Sequence, residues 1–131
     1  MSQATEHMFF GVHIVGELYG VESAMLNNKE LLEQTLKEGI EQSGATLCSM
    51  QTKVFEPSGI TSLALLSESH ASLHTYPDEQ ALFFDAFTCG TECQPQKIAE
   101  RMIEVLKPTH HTLQTIKRGE EPKAPQVLEA V

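Results

Sequence analysis

Residues 9–19, FFGVHIVGELY, are apolar and β-prone, with partial alternation through His13, Val15 and Glu17. That pattern predicts a strand. Downstream the period changes: Leu32, Leu36 and Ile40 recur four apart, with Glu33, Lys37 and Glu41 on the other faces. This is an amphipathic helix, opened by Asn27 and Glu30 in capping-box form and stopped at Ser43-Gly44. Residues 45–56 predict a second strand, ended by Pro57-Ser58-Gly59. Ile60–Ser67 and Ala71–Tyr76 predict the third and fourth, with a bend near Ser67-Glu68-Ser69-His70. Tyr76-Pro77-Asp78-Glu79 reads as a turn, since proline presets φ for a tight reversal. Ala81–Thr88 is a fifth strand. Pro95 opens a second helix with Ile98, Met102 and Val105 on one face, and Thr109–Lys117 is the last strand. Residues 120–131 read as a flexible tail.

The order β-α-β-β-β-β-α-β predicts an α+β fold, a two-layer sandwich with helices on one face of a mainly antiparallel sheet. Residues 1–119 form its single domain. A sheet covered on one side only, in so short a chain, leaves apolar surface and open edges. Pairing of two copies as a homodimer is therefore expected.

Charge narrows the function classes. With 18 acidic against 9 basic side chains among 131 residues, the net charge is −9. Nucleic-acid binding needs a basic patch, and only Lys117-Arg118 hints at one. No apolar run is long enough to span a bilayer. The polar Met1–His7 stretch has no basic-then-apolar secretory pattern. Cys48, Cys89 and Cys93 are an odd, sparse set, which reads as free thiols in a reducing compartment. A cytoplasmic location is the expectation.

Chemistry concentrates in Ser67–Gly90, which holds Glu68, Ser69, His70, His74, Asp78, Asp85 and Cys89. By period two, His70, Ser72 and His74 share a face of the fourth strand, and the return strand could bring Cys89 towards that face. Several chemistries fit this set. Zinc would use Cys89 and Cys93 with histidines, yet the spacing lacks a matching second pair, and adjacent His110 and His111 point to opposite faces of a strand. No metal is expected. A thiol–imidazole hydrolase would pair Cys89 with His74, though no nucleophile motif surrounds the cysteine. Self-processing at the Glu68–Ser69 bond is the third.

The segment SESHASLHTYPDEQALFFDAFTCG resembles the processing and catalytic segment of bacterial S-adenosylmethionine decarboxylases, the small pyruvoyl-dependent type. The family pattern E-S-H, then I-H-T-W-P-E, then D-x-F-T-C-G, stands here as Glu68-Ser69-His70, Leu73-His74-Thr75-Tyr76-Pro77-Asp78, and Asp85-Ala86-Phe87-Thr88-Cys89-Gly90. Gly11-Val12-His13, Glu17-Leu18-Tyr19-Gly20 and Arg118-Gly119 also match.

The resemblance implies a proenzyme cut between residues 68 and 69 into 1–68 and 69–131. Ser69 would attack the Glu68 carbonyl, and elimination and hydrolysis would leave a pyruvoyl group in place of the serine. His74 matches the histidine that assists processing, and Thr61 stands where the family usually has a processing serine. The mature pyruvoyl would take the substrate amine as a Schiff base and act as electron sink. Cys89 matches the proton donor to Cα, a role that suits a thiol because thiols are ordinarily protonated at neutral pH. Asp78 would bind the ribose hydroxyls, one methylene shorter than the usual glutamate; Glu17 is a further candidate for substrate contact. The implied function is decarboxylation of S-adenosylmethionine for spermidine synthesis. Arginine or ornithine is the alternative substrate, and an inert partner subunit the non-enzymatic alternative. His13, His110 and His111 are assigned structural or surface duty, and Cys48 and Cys93 none.

Overall fold

A computed structural model describes residues 8–119 and the backbone of a strand at 126–130. The elements follow in the order β1 (Gly11–Tyr19), α1 (Ser23–Leu26), α2 (Lys29–Ser43), β2 (Leu47–Val54), β3 (Ile60–Leu66) and β4 (Ser69–Tyr76). A 3₁₀ turn (Pro77–Glu79), β5 (Ala81–Cys89), α3 (Gln96–Leu106), β6 (His110–Arg118) and β7 (Gln126–Ala130) complete them.

The short α1 is an addition to the sequence-based expectation, and other local details depart from it. The cap of α2 is Asn28, whose side chain accepts from Leu31 N–H at 3.1 Å. Asn27 is unavailable for that role because it closes the preceding short α1, while its own Oδ1 accepts from Gly59 N–H at 2.9 Å. On α3 the buried face is Ile98, Ala99, Met102 and Leu106, with Val105 at its margin. Residues 126–130, inside the expected tail, pair as β7 with β6; residues 120–125 lie outside the described ones. Elsewhere the agreement is close: α2 ends at Gly44 with φ of +89°, a left-handed backbone that glycine adopts without steric cost.

The strands form one antiparallel sheet in the order β2-β3-β4-β5-β1-β6-β7, so β1 sits between β5 and β6. Helices α2 and α3 cover one face. Leu18, Leu36, Ile40, Leu73, Leu82, Ile98 and Met102 are fully buried beneath them. Each such side chain contributes about 1.5–3 kcal/mol of transfer free energy. Period two sends the alternate residues to the helix-free face. There Leu63 and Leu65 remain 50% and 58% exposed, and Tyr76 and Phe83 are also exposed. The functional side chains stand on that same face.

Candidate active site

The β3–β4 turn is two residues long, so β4 begins at Ser69, earlier than the alternation alone predicts. Ser69 has φ of +149°, a region that a side chain with Cβ rarely occupies. Such a backbone costs about 1–3 kcal/mol and persists only where its surroundings enforce it. Here the enforcement is visible. The Glu68 carbonyl oxygen accepts from Cys89 N–H at 2.9 Å, and the buried Glu68 carboxylate accepts from Thr46 N–H at 3.0 Å. Ser67 N–H donates to the Thr46 carbonyl at 3.0 Å. The Glu68–Ser69 peptide is thus strained, with a donor on the carbonyl that a nucleophile would attack. Ser69, His70, Phe87 and Cys89 line an open cleft of about 710 Å³.

Beside it, the register stacks β4, β5 and β1 so that His70 faces Phe87, Phe87 faces His13, and Ser72 faces Asp85. Asp85 Oδ2 accepts from His13 Nε2 at 2.7 Å and from His70 Nε2 at 2.9 Å. Its Oδ1 accepts from the Ser72 hydroxyl. Arg118 donates to His13 Nδ1 at 3.2 Å and lies over the Phe87 ring. Arginine offers only donors, so His13 Nδ1 accepts and its Nε2 carries the proton given to Asp85. Burial pushes the Asp85 carboxyl upward, but the hydrogen bonds from His13, Ser72 and His70 outweigh it and hold the group well below the ordinary carboxylate range. The donor atoms of His13, His70 and Asp85 lie within 4.8 Å of one another, a spacing that also suits a metal ion. Hydrogen bonding already accounts for the arrangement.

A second group lies at the other end of the same face. Thr61 Oγ1 and His74 Nδ1 are 3.1 Å apart, Glu17 accepts from the Tyr19 hydroxyl, and Asp78 is exposed on the 3₁₀ turn. The register aligns Thr61, His74, Phe83 and Glu17 in one row across four strands.

Ser69, Glu68 and Cys89 therefore meet, as do Thr61 and His74, but the two groups do not. His74 is five residues along β4 from Ser69, about 16 Å at the rise of a strand. The same separation removes the Cys89–His74 dyad. Zinc fares no better: Cys89 is aligned with Gly11 at one end of β1, and His110 is paired with Tyr19 at the other. Cys48 stands apart, with Sγ 3.4 Å from the Ser67 hydroxyl. His13, read from the sequence as structural or surface, and His70 and Asp85, given no specific role there, are the functional-looking residues that the structure adds. Their motif positions were in view, but only the register joins them.

A family profile described as S-adenosylmethionine decarboxylase matches residues 12–119. An S-adenosylmethionine decarboxylase proenzyme 2 of Bacillus anthracis is 40% identical over 114 residues, covering 87% of this chain and 93% of the relative. The proenzyme of Brevibacillus brevis is 40% identical over 114 residues, 87% and 86% of the two chains. Among solved structures, the adenosylmethionine decarboxylase of Aquifex aeolicus superposes with a TM-score of 0.80 at 29% identity, covering 91% of this chain and 99% of that one. A Trypanosoma brucei AdoMetDC superposes at 0.60 and 14% identity, a likeness of fold.

Proposed function

This chain belongs to the S-adenosylmethionine decarboxylase family, and from that premise we propose that it cuts itself at Glu68–Ser69 and then decarboxylates S-adenosylmethionine. It is a carboxy-lyase. The observation that carries the processing step is the strained Ser69 behind a carbonyl already hydrogen-bonded by Cys89 N–H. Attack of Ser69 Oγ on the Glu68 carbonyl converts the amide to an ester and relieves that strain. Loss of the Ser69 Cα proton then expels the Glu68 carboxylate. Hydrolysis of the resulting enamine releases ammonia and leaves a pyruvoyl group at residue 69.

Once formed, the pyruvoyl group supplies an electron sink for the carboxylate-bearing carbon of the substrate. The chain's own residues do the rest. The buried Cys89 thiol, lining the same cleft, returns a proton to the substrate Cα. Asp78 and Glu17 stand with His74 at the other end of the face, so those that hold the ribose hydroxyls and the substrate body would reach this cleft from the partner subunit. The family and the names of the relatives favour S-adenosylmethionine over arginine or ornithine. The product serves polyamine synthesis.

His74 supports the elimination from Thr61 outward, yet it stands about 16 Å from Ser69 in its own chain. Two chains facing each other across their helix-free sides, strands running oppositely, would set one end of the face against the other end of its copy. His74 of the partner subunit would then meet Ser69. The exposed Leu63, Leu65, Tyr76 and Phe83 on that side favour this homodimer over a monomer. Among the described residues no helix is long and apolar enough to cross a membrane. The free cysteines fit the cytoplasm.

The test is denaturing mass measurement of the purified chain together with CO₂ release. Two chains, 1–68 and a blocked 69–131, with release from S-adenosylmethionine, are expected. One intact folded chain would refute self-processing; release only from arginine or ornithine would refute the substrate.

A further inference from the structure

Neighbouring residues of a strand ordinarily point to opposite faces. At Ser69 the positive φ interrupts that alternation and leaves its hydroxyl 3.4 Å from His70 Nδ1. The other ring nitrogen of His70 lies 2.9 Å from Asp85 Oδ2. Hydroxyl, imidazole and carboxylate thus stand in the order of a nucleophile, its base and the group that orients the base. Asp85 is fixed in turn by Ser72 and by His13, and His13 by Arg118.

The geometry points to His70 as the base that activates Ser69 for self-cleavage, with Asp85 as its positioning residue. This rests on the self-cleavage reading above and adds to it the group that takes the hydroxyl proton. As Ser69 Oγ bonds to the Glu68 carbonyl carbon, its proton passes to His70 Nδ1. The carbonyl oxygen becomes an oxyanion, held by Cys89 N–H at 2.9 Å in the starting geometry. Collapse breaks the Glu68–Ser69 C–N bond, and His70 returns the same proton to the departing Ser69 nitrogen. An ester and a free amine result, with no co-reactant. Asp85 holds the proton of His70 on Nε2, which leaves the Nδ1 lone pair aimed at the hydroxyl. His13 and Arg118 have a positioning role one step further out, because they orient the carboxylate and never touch the serine.

The test follows cleavage of the full chain after cell-free synthesis, by intact mass with and without hydroxylamine, which splits esters but spares amides. His70→Ala and Asp85→Asn should slow cleavage by about 10²–10⁴-fold, as expected for loss of a positioned base. Both should remain whole in hydroxylamine, because they stop before the ester. His74→Ala should instead accumulate an ester that hydroxylamine cuts. Added imidazole should speed cleavage of His70→Ala and leave Ser69→Ala whole. His70→Gln, which keeps the polar side chain without the base, reads the same step should His70→Ala fail to fold. A folded His70→Gln that cleaves at the wild-type rate, or that collects the hydroxylamine-sensitive ester, would overturn the assignment while leaving self-processing intact. An uncleaved wild type would overturn both.

Discussion

Separating Ser69 from His74 onto different chains gives a direct test of the composite site. Along β4 the two residues are five positions apart, which at about 3.3 Å per residue is about 16 Å. Proton transfer needs donor and acceptor within about 3 Å, so no rotamer of His74 reaches Ser69 of its own chain. Consider Ser69→Ala and His74→Ala chains, distinguished by tags and co-expressed in equal amounts. Alone, the first lacks the nucleophile and stays whole, and the second stalls at the ester. In a mixed dimer with shared sites, the Ser69 of the His74→Ala chain faces the intact His74 of its partner. The other site carries both defects. Random pairing places about half of each chain in mixed dimers, so about half of the His74→Ala chains should become fully cut. The Ser69→Ala chains should remain whole in every mixture. Intact mass spectrometry resolves the tagged species. If His74→Ala chains gain no cleavage from the partner although mixed dimers are isolated, the site is not shared across the helix-free face.

Other consequences can be checked independently. Cys89→Ala should still cleave but lose about 10²–10⁴-fold in CO₂ release; wild-type turnover would remove the thiol from the reaction. Leu63→Asp with Leu65→Asp, at positions 50% and 58% exposed, should yield folded monomers by light scattering; persistent dimers would mean that another surface pairs. A Cβ on Gly16 would lie 2.4 Å from Phe84 Cζ and 2.7 Å from Leu113 Cδ2. Gly16→Ala should therefore cost about 1–3 kcal/mol, read by calorimetry as a lower Tm, with an unchanged Tm counting against the packing described. Because the Asp85 carboxyl is depressed on folding, its contribution to stability is complete above the unfolded value of about 3.9 and declines as pH falls below it. Asp85→Asn should flatten that acid limb in urea unfolding; an unchanged slope would show that the carboxyl is not held down.

Local signals were legible in the sequence wherever one segment contains the physics. The i,i+4 leucines of α2, its glycine stop and the Tyr76-Pro77-Asp78 turn needed nothing from elsewhere. So too did the conclusion that helices cover one face of an antiparallel sheet. The Asn27–Asn28 slip is instructive: both residues can cap, and the choice fell to Asn28 because a short upstream helix and the Gly59 amide claimed Asn27.

The residue types of the site were equally plain, since Glu68-Ser69, His74 and Cys89 stand in a motif with fixed spacing. Their grouping was not. The resemblance assigns His74 to processing at Ser69, and strand rise places the two at opposite ends of one sheet, so within one chain they do not meet. In exchange, the register brings Cys89 N–H to the Glu68 carbonyl. The hydrogen bonds that build the Asp85 cluster join His13 to a residue 72 positions away and to Arg118, 105 positions away. Cross-strand register decides such contacts, and a slip of one residue would turn every side chain to the opposite face. Composition, periodicity and motif therefore determined the chemistry this chain carries and the class of fold that holds it. Which of those groups meet was decided only by the tertiary pairing of β1, β4 and β5, because hydrogen-bond geometry depends on distance in space and not along the chain.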